Sequence, residues 1–229
     1  MVTRPVISIR FFGMIRLVSI AVAATATSGH AAENPRPPTR EAMHMKLAEI
    51  TGDPEKRAAA VESGKKAAAV CMHCHGAGGN SSQPDVPNLA SQNADYLLEQ
   101  MNKFVLGQRR SSAFMEGMIK ALTPDERIDI SLFLSQQPVM RKPVGMSAQS
   151  VSGKKLYDKL CMTCHRADGT GAHRIPRLAG QQVKYVENSL KRYRNGEGER
   201  MNPSMAAYTR NLKDADIAEL AAYLSTLHP

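Results

Sequence analysis

Two short stretches hold all the cysteines of this chain. Residues 70–80 read VCMHCHGAGGN, with Cys71 and Cys74 followed directly by His75. Residues 160–169 read LCMTCHRADG, with Cys161, Cys164 and His165 in the same spacing. Three chemistries use such residues: a zinc site, a redox dithiol, or a covalently held haem. Zinc needs four ligands, usually two pairs separated by a short loop, whereas these pairs stand 90 residues apart. A thioredoxin-like dithiol needs strand–helix–strand surroundings, and no strand-like alternation of useful length occurs in the chain. Disulfides closing such short loops would remove little chain entropy. The pattern C-x-x-C-H fits the third chemistry, because the two thiols add to the haem vinyl groups and the next residue supplies an axial imidazole. Two copies predict two covalently bound haem c groups, tethered by Cys71, Cys74, Cys161 and Cys164, with His75 and His165 as iron ligands.

The elements that position these residues come as a duplication. ESGKKAAAVCMHCHGAGG (62–79) matches VSGKKLYDKLCMTCHRADG (151–169), and VPNLASQNADYLLEQM (86–101) matches IPRLAGQQVKYVENSL (175–190). Cys71 to Cys161, Met115 to Met205, Leu122 to Leu212 and Leu134 to Leu224 are each 90 residues, and Pro87 to Pro176 and Tyr96 to Tyr185 are 89. A register held this long is a tandem duplication, with a unit too long for a solenoid repeat. QPVMRKPVGMS (137–147), with two prolines and a glycine, reads as the linker. The division expected is 1–31 secretory signal, 32–51 N-terminal extension, 52–141 first domain and 142–229 second domain.

Both halves read as all-α. Residues 56–70 are rich in Ala, Lys and Glu, and a second helical run from Asn93 places Leu97, Met101, Phe104 and Val105 on one face. TPDE (123–126) is a capping box with proline at the first helical position. Its counterpart KDAD (213–216) lacks that cap, leaving Asp214 or Asn211 as substitutes, before Ile217, Leu220, Ala221 and Leu224 recur at helical spacing.

The same register selects a sixth iron ligand. Methionine opposite histidine raises a haem potential, and of 13 methionines Met115 and Met205 match each other across the repeat. Met118 and Met201 are local competitors without counterparts. His73 lies between two attachment cysteines and reads as a surface residue, as does the unmatched His173. His30 leaves with the signal, and His44 and His228 fall in tails.

Composition narrows the setting. Arg4, Arg10 and Arg16, the apolar run LVSIAVAATA (17–26) and SGHA (28–31) form a secretory signal cut after Ala31. Arg16 leaves the apolar run well short of the roughly 20 residues a membrane span needs. Aromatic residues make up 5% of the chain and Trp is absent, so a bulky apolar cofactor would complete two otherwise modest cores. The formal charge is +9; residues 52–141 balance ten bases against ten acids, while 142–229 carry fourteen bases and eight acids. That excess predicts an acidic docking partner and a higher potential for the C-terminal haem. Nucleic acid is excluded as a partner by export and the lack of stacking aromatics.

On CMHCHGAGGN and CMTCHRADGTG, VPNLASQ and IPRLAGQ, and FMEGMIKALTPDE and SMAAYTRNLKDAD, the chain resembles the dihaem class I cytochromes c of the c4 type over roughly residues 52–229. The resemblance implies His/Met ligation of each iron. It also implies that the Pro87 and Pro176 carbonyls accept a hydrogen bond from His75 and His165, and that two haem domains pack about a pseudo-twofold axis. It implies a periplasmic single-electron carrier serving redox proteins such as a terminal oxidase or a dehydrogenase, with peripheral contact to membrane complexes. With both axial positions filled by protein, no iron has an open site for a substrate, and electron transfer without bond-making is expected. Two other readings stay open: a dihaem enzyme of peroxidase or thiosulfate-oxidising type, and a haem subunit of a dehydrogenase or oxidase complex. The segment 32–51 and the absence of a glycine matching Gly117 near Met205 depart from the family pattern.

Overall fold

Helix signals repeated at a fixed interval fold into helices repeated in space. A computed structural model describes residues 37–140, 145–199 and 202–228. The expected signal at 1–31, Met201 and part of the linker lie outside them. The elements are α1 (Arg40–Gly52), α2 (Pro54–Ala67), α3 (Met72–His75), α4 (Ala94–Val105), α5 (Ala113–Ala121) and α6 (Pro124–Ser135). They continue with α7 (Ala148–Leu160), α8 (Met162–His165), α9 (Val183–Asn195), α10 (Pro203–Thr209) and α11 (Asp214–Thr226). Helices α2 to α6 correspond in order to α7 to α11, and α1 has no counterpart. Among the described residues there is no strand, only an isolated bridge between Ala172 and Ile175.

In each half the helix before the cysteines crosses the last helix, and a glycine makes the crossing close. A Cβ on Gly64 would lie 2.0 Å from the Asp129 carbonyl oxygen, and one on Gly153 would lie 1.9 Å from that of Glu219. The SGKK shared by both copies is therefore the sequence mark of two backbones in contact. Around the crossings lie Leu97, Met101, Phe104, Ile119, Ile130, Phe133 and Leu134 in the first half. Tyr157, Val186, Leu220, Ala221, Tyr223 and Leu224 do the same in the second. Val105, expected on the inner face of α4, is instead exposed, because it closes the helix beyond the last buried turn.

The end caps follow the sequence in one copy and depart from it in the other. Thr123 Oγ1 accepts from the Glu126 N–H while the Glu126 carboxylate accepts from the Thr123 N–H, completing the box that starts α6. At α11 neither Asn211 nor Asp214 caps. The N-cap is Lys213, whose N–H donates to the Asp216 carboxylate at 2.7 Å, so only the reciprocal half of the box survives.

The largest departure is at the N-terminus. Residues 40–52 are helical, started by Thr39, whose hydroxyl accepts from the Ala42 N–H. Met43 and Leu47 pack with Ala60, Leu98, Ile128 and Leu132 in a second cluster on the outer side of the first half. His44, expected in a tail, is buried there: Nδ1 lies 3.0 Å from Asp95 Oδ1 and Nε2 lies 3.4 Å from Glu99 Oε2. Asp95 and Glu99 are four apart on α4, so helical spacing brings both carboxylates to the face that α1 covers.

Candidate haem sites

Each cysteine pair bridges into a single helical turn, α3 or α8, that ends on the histidine. Cys74 and Cys164 are exposed and Cys71 and Cys161 half-buried, and none is in a disulfide. Burial raises the Cys71 thiol and pushes Cys161 up to about 11, the reverse of a thiolate activated for redox exchange. Among the described residues no group of three His, Cys, Asp or Glu side chains converges to hold a bare metal ion. The arrangement therefore disfavours two of the three chemistries and suits thioether attachment.

His75 and His165 are each 6% exposed. Nδ1 of His75 donates to the Pro87 carbonyl at 2.9 Å, and Nδ1 of His165 donates to the Pro176 carbonyl at 3.1 Å. A carbonyl only accepts, so Nδ1 carries the proton and Nε2 keeps its lone pair. Desolvation depresses both imidazoles below the ordinary histidine value, despite the opposing carbonyl bond, and favours the neutral ring that a metal requires. The proline carbonyl is held in place by its own loop. Gly79 O accepts from the Leu89 and Ala90 N–H groups at 2.7 and 3.1 Å, and Gly169 O accepts from Leu178 and Ala179 at the same two distances. His73 and His173 are exposed, as their unmatched positions implied.

Met115 and Met205 take equivalent places. Each is the third residue of its helix, α5 or α10, and its N–H donates to the capping side chain, Ser112 Oγ at 3.2 Å or Asn202 Oδ1 at 3.0 Å. Both are half-buried, as is Met118 one turn further along α5. No hydrogen bond joins either sulfur to the imidazole of its half among the described residues.

The residues present fit a haem in two further ways. The cores are edged by half-buried apolar side chains at matching register, Leu89 and Leu122 in the first half and Leu178 and Leu212 in the second, which an apolar macrocycle would cover. Among the described residues, buried donors also stand without a protein partner: Asn102 Nδ2, Arg109 Nε and Arg177 Nε, together with Arg127 Nε on the side covered by α1. Such orphans are costly unless an acceptor meets them, and haem brings two carboxylates. Arg177 is 2% exposed, and burial lowers its guanidinium to about 10, so it stays a cation at neutral pH. Its Nη2 donates to the Ala90 carbonyl of the first half at 2.7 Å and Nη1 to its own half's Ala179, two residues at matching register.

Sequence reasoning passed over Arg109, Arg177, Gln92 and Gln181. The two glutamines lie inside the repeated motifs VPNLASQ and IPRLAGQ, and their recurrence was the available signal.

The cytochrome c family model matches this chain twice, over residues 61–138 and 150–228. The chain is 34% identical over 182 residues to cytochrome c4 of Pseudomonas aeruginosa, covering 72% of this chain and 88% of that protein. It is similar to the crystal structure of reduced recombinant cytochrome c4 from Pseudomonas stutzeri, with a TM-score of 0.68 at 30% identity over 73% of this chain and 98% of that one. A protein of Thiomonas intermedia named thiosulfate dehydrogenase electron acceptor is 32% identical over 141 residues, 56% of this chain and 64% of its own length. With two C-x-x-C-H turns, two carbonyl-anchored imidazoles and two matched domains, the chain belongs to the cytochrome c family and, within it, to the cytochromes c4, electron carriers with two covalently bound haem c groups.

Proposed function

We propose that this cytochrome moves single electrons between periplasmic redox proteins through two haems ligated by His75 with Met115 and by His165 with Met205. The observation that carries this reading is the identical placement of Met115 and Met205, each third in its helix with its N–H tied to the helix cap. Bound haem supplies an iron that cycles between ferrous and ferric. The cysteines would tether the macrocycle through thioethers, and the cap-held methionines would supply a second protein ligand to each iron. The chain's own work is to hold each imidazole in one tautomer, which the proline carbonyls do. A soft sulfur ligand favours ferrous iron and raises the potential.

The reading is tested by the weak red absorption band that methionine gives a ferric haem. Met115→Ala and Met205→Ala are each expected to remove about half of it and to open one iron per chain to carbon monoxide. Met118→Ala is expected to leave both properties unchanged. Loss of the band with Met118→Ala, or its survival in Met115→Ala, would reassign the ligand.

Export follows from residues 1–31, and mass spectrometry of the secreted protein should find its first residue at position 32. No helix among the described residues is long and apolar enough to cross a membrane. The excess of bases over acids in 142–229 favours an acidic partner docking on that half, through an association that weakens with salt. The name of the Thiomonas relative favours a dehydrogenase that oxidises sulfur compounds as one electron donor, with this chain as acceptor rather than catalyst.

A further inference from the structure

The segments that orient the two imidazoles are also the segments by which the two halves meet. Gln181, from the second half, accepts at Oε1 from the Asn88 N–H at 2.7 Å and donates from Nε2 to the Asn88 carbonyl at 3.0 Å. Gln92, from the first half, accepts from the Arg177 N–H at 2.7 Å and donates to the Arg177 carbonyl at 3.0 Å. Each glutamine oxygen takes one further bond, from the next residue's N–H at 3.0 Å, so both amides are held in a single orientation. Both side chains are buried, at 4% exposure.

The Asn88 N–H and the Pro87 C=O are the two ends of one peptide group, as are the Arg177 N–H and the Pro176 C=O. Each of these peptides accepts at oxygen from the imidazole of its own half and donates at nitrogen to the glutamine of the opposite half. A peptide that donates becomes a better acceptor, because bonds in a chain polarise one another. The glutamine therefore strengthens the pull of the proline oxygen on Nδ1–H. That pull makes the imidazole more basic at Nε2.

We propose that Gln92 and Gln181 are crossed positioning residues, each governing through the opposite half's proline peptide the orientation and donor strength of the imidazole that binds the other half's iron. The inference rests on His75 and His165 being the iron ligands of the reading above. A more basic imidazole favours ferric iron, so removing the glutamine raises the potential of the opposite haem and leaves the haem of its own half unmoved. Docking of the halves and tuning of the irons are then one interaction, and loosening the seam moves both potentials upward.

The test is potentiometric titration, followed in the visible spectrum, of Gln92→Leu and Gln181→Leu in the holoprotein. Each is placed also in Met115→His and Met205→His backgrounds, which displace one step and so assign the other. Gln92→Leu is expected to shift the ferrous-to-ferric ratio of the His165 haem by about threefold toward ferrous at a fixed potential, a modest share of one hydrogen bond. Gln181→Leu should do the same to the His75 haem. Glu41→Gln serves as the control, since it removes the exposed 3.1 Å ion pair that joins α1 to Arg174 of the second half without touching either proline peptide, and it should move neither step. A shift on the same half, an equal shift of both haems, no shift, or an equal shift in Glu41→Gln overturns the proposal. Should a leucine variant fail to keep two haems, Gln92→Asn and Gln181→Asn, too short to span the seam, give the same readout. Failure of the underlying ligation is seen separately, as an unaltered haem spectrum in His75→Ala or His165→Ala.

Discussion

The first half of the molecule carries a helix that the second lacks, and the second buries a guanidinium at the seam where the first has an amide. Both differences sit on an otherwise shared frame. On the outer face, α1 covers Leu98, Ile128 and Leu132. At the matching register the second half has Glu187, Ala218 and Ala222, a face too polar and too shallow to hold a helix. At the seam, position 88 is Asn and its equivalent 177 is Arg. The Asn88 side chain donates to the Gly180 carbonyl at 2.9 Å and accepts from the Ser81 N–H, while the Arg177 guanidinium reaches between the carbonyls of Ala90 and Ala179. A duplicated backbone can meet itself symmetrically, through Gln92 and Gln181, but a buried cation cannot face its own copy. Symmetry survives where the groups are dipoles and breaks where they are charges.

The strongest way to break that comparison is to restore the symmetry. Asn88→Arg would put a second guanidinium at a seam where Arg177 already lacks a carboxylate partner among the described ion pairs. An unpaired buried charge costs about 3–5 kcal/mol, and the lost Asn88 bonds add to it. The expected result is a large fall in thermal stability together with higher mobility of one half against the other in hydrogen exchange. The double variant Asn88→Arg, Arg177→Asn, which exchanges the two residues, should recover much of the loss. A single variant as stable as the parent would mean that the seam is not dry.

A smaller effect separates the halves. Leu47 is 2% exposed on α1, and Leu47→Ala should cost about 3 kcal/mol through lost transfer energy and a residual cavity. The cost should fall on the first half alone. Unfolding followed in the haem spectrum, with the two irons told apart in Met115→His and Met205→His backgrounds, would show the first half's haem losing its native ligation earlier and that of the second half unchanged. Equal loss from both halves would show that α1 stabilises the pair rather than its own half. The ion pair between Glu41 of α1 and Arg174 of the second half, at 3.1 Å, is exposed at both ends and adds little to such coupling.

What could be read from the sequence was what depends on short separations or on repetition. The C-x-x-C-H turns and the capping box at Thr123 are local patterns, and the all-α frame follows from helical periodicity repeated in register. The role of α1 needed a long-range contact. Met43 and Leu47 are spaced for one helical face, and Asp95 and Glu99 are spaced for another, but nothing local joins them through His44. Gln92 and Gln181 escaped for the same reason, since their partners lie 85 and 93 positions away. Lys213 escaped because a cap can work from the backbone alone, leaving no side-chain signature.

The smallest difference lies beside the attachment turns themselves. Gly76 follows His75 at φ 74, ψ 170, and Arg166 follows His165 at φ 65, ψ 162. That region is open to glycine and strained by about 1–3 kcal/mol for any residue with a Cβ. The second half compensates with Tyr157, 0% exposed, whose hydroxyl donates to the Arg166 carbonyl at 2.6 Å and pins the turn. Arg166→Gly removes an exposed side chain and the strain together, at the cost of a freer unfolded chain. It should stabilise the second half by about 1 kcal/mol and leave the first untouched. Tyr157→Phe should lose about the same amount, the net value of one hydrogen bond. In the Arg166→Gly background its penalty should shrink, because the turn no longer needs pinning. The ring packing against Tyr223, at 5.4 Å between ring centres, survives in phenylalanine, so an undiminished penalty would mean that the hydroxyl bond stabilises this half independently of the strain at the turn.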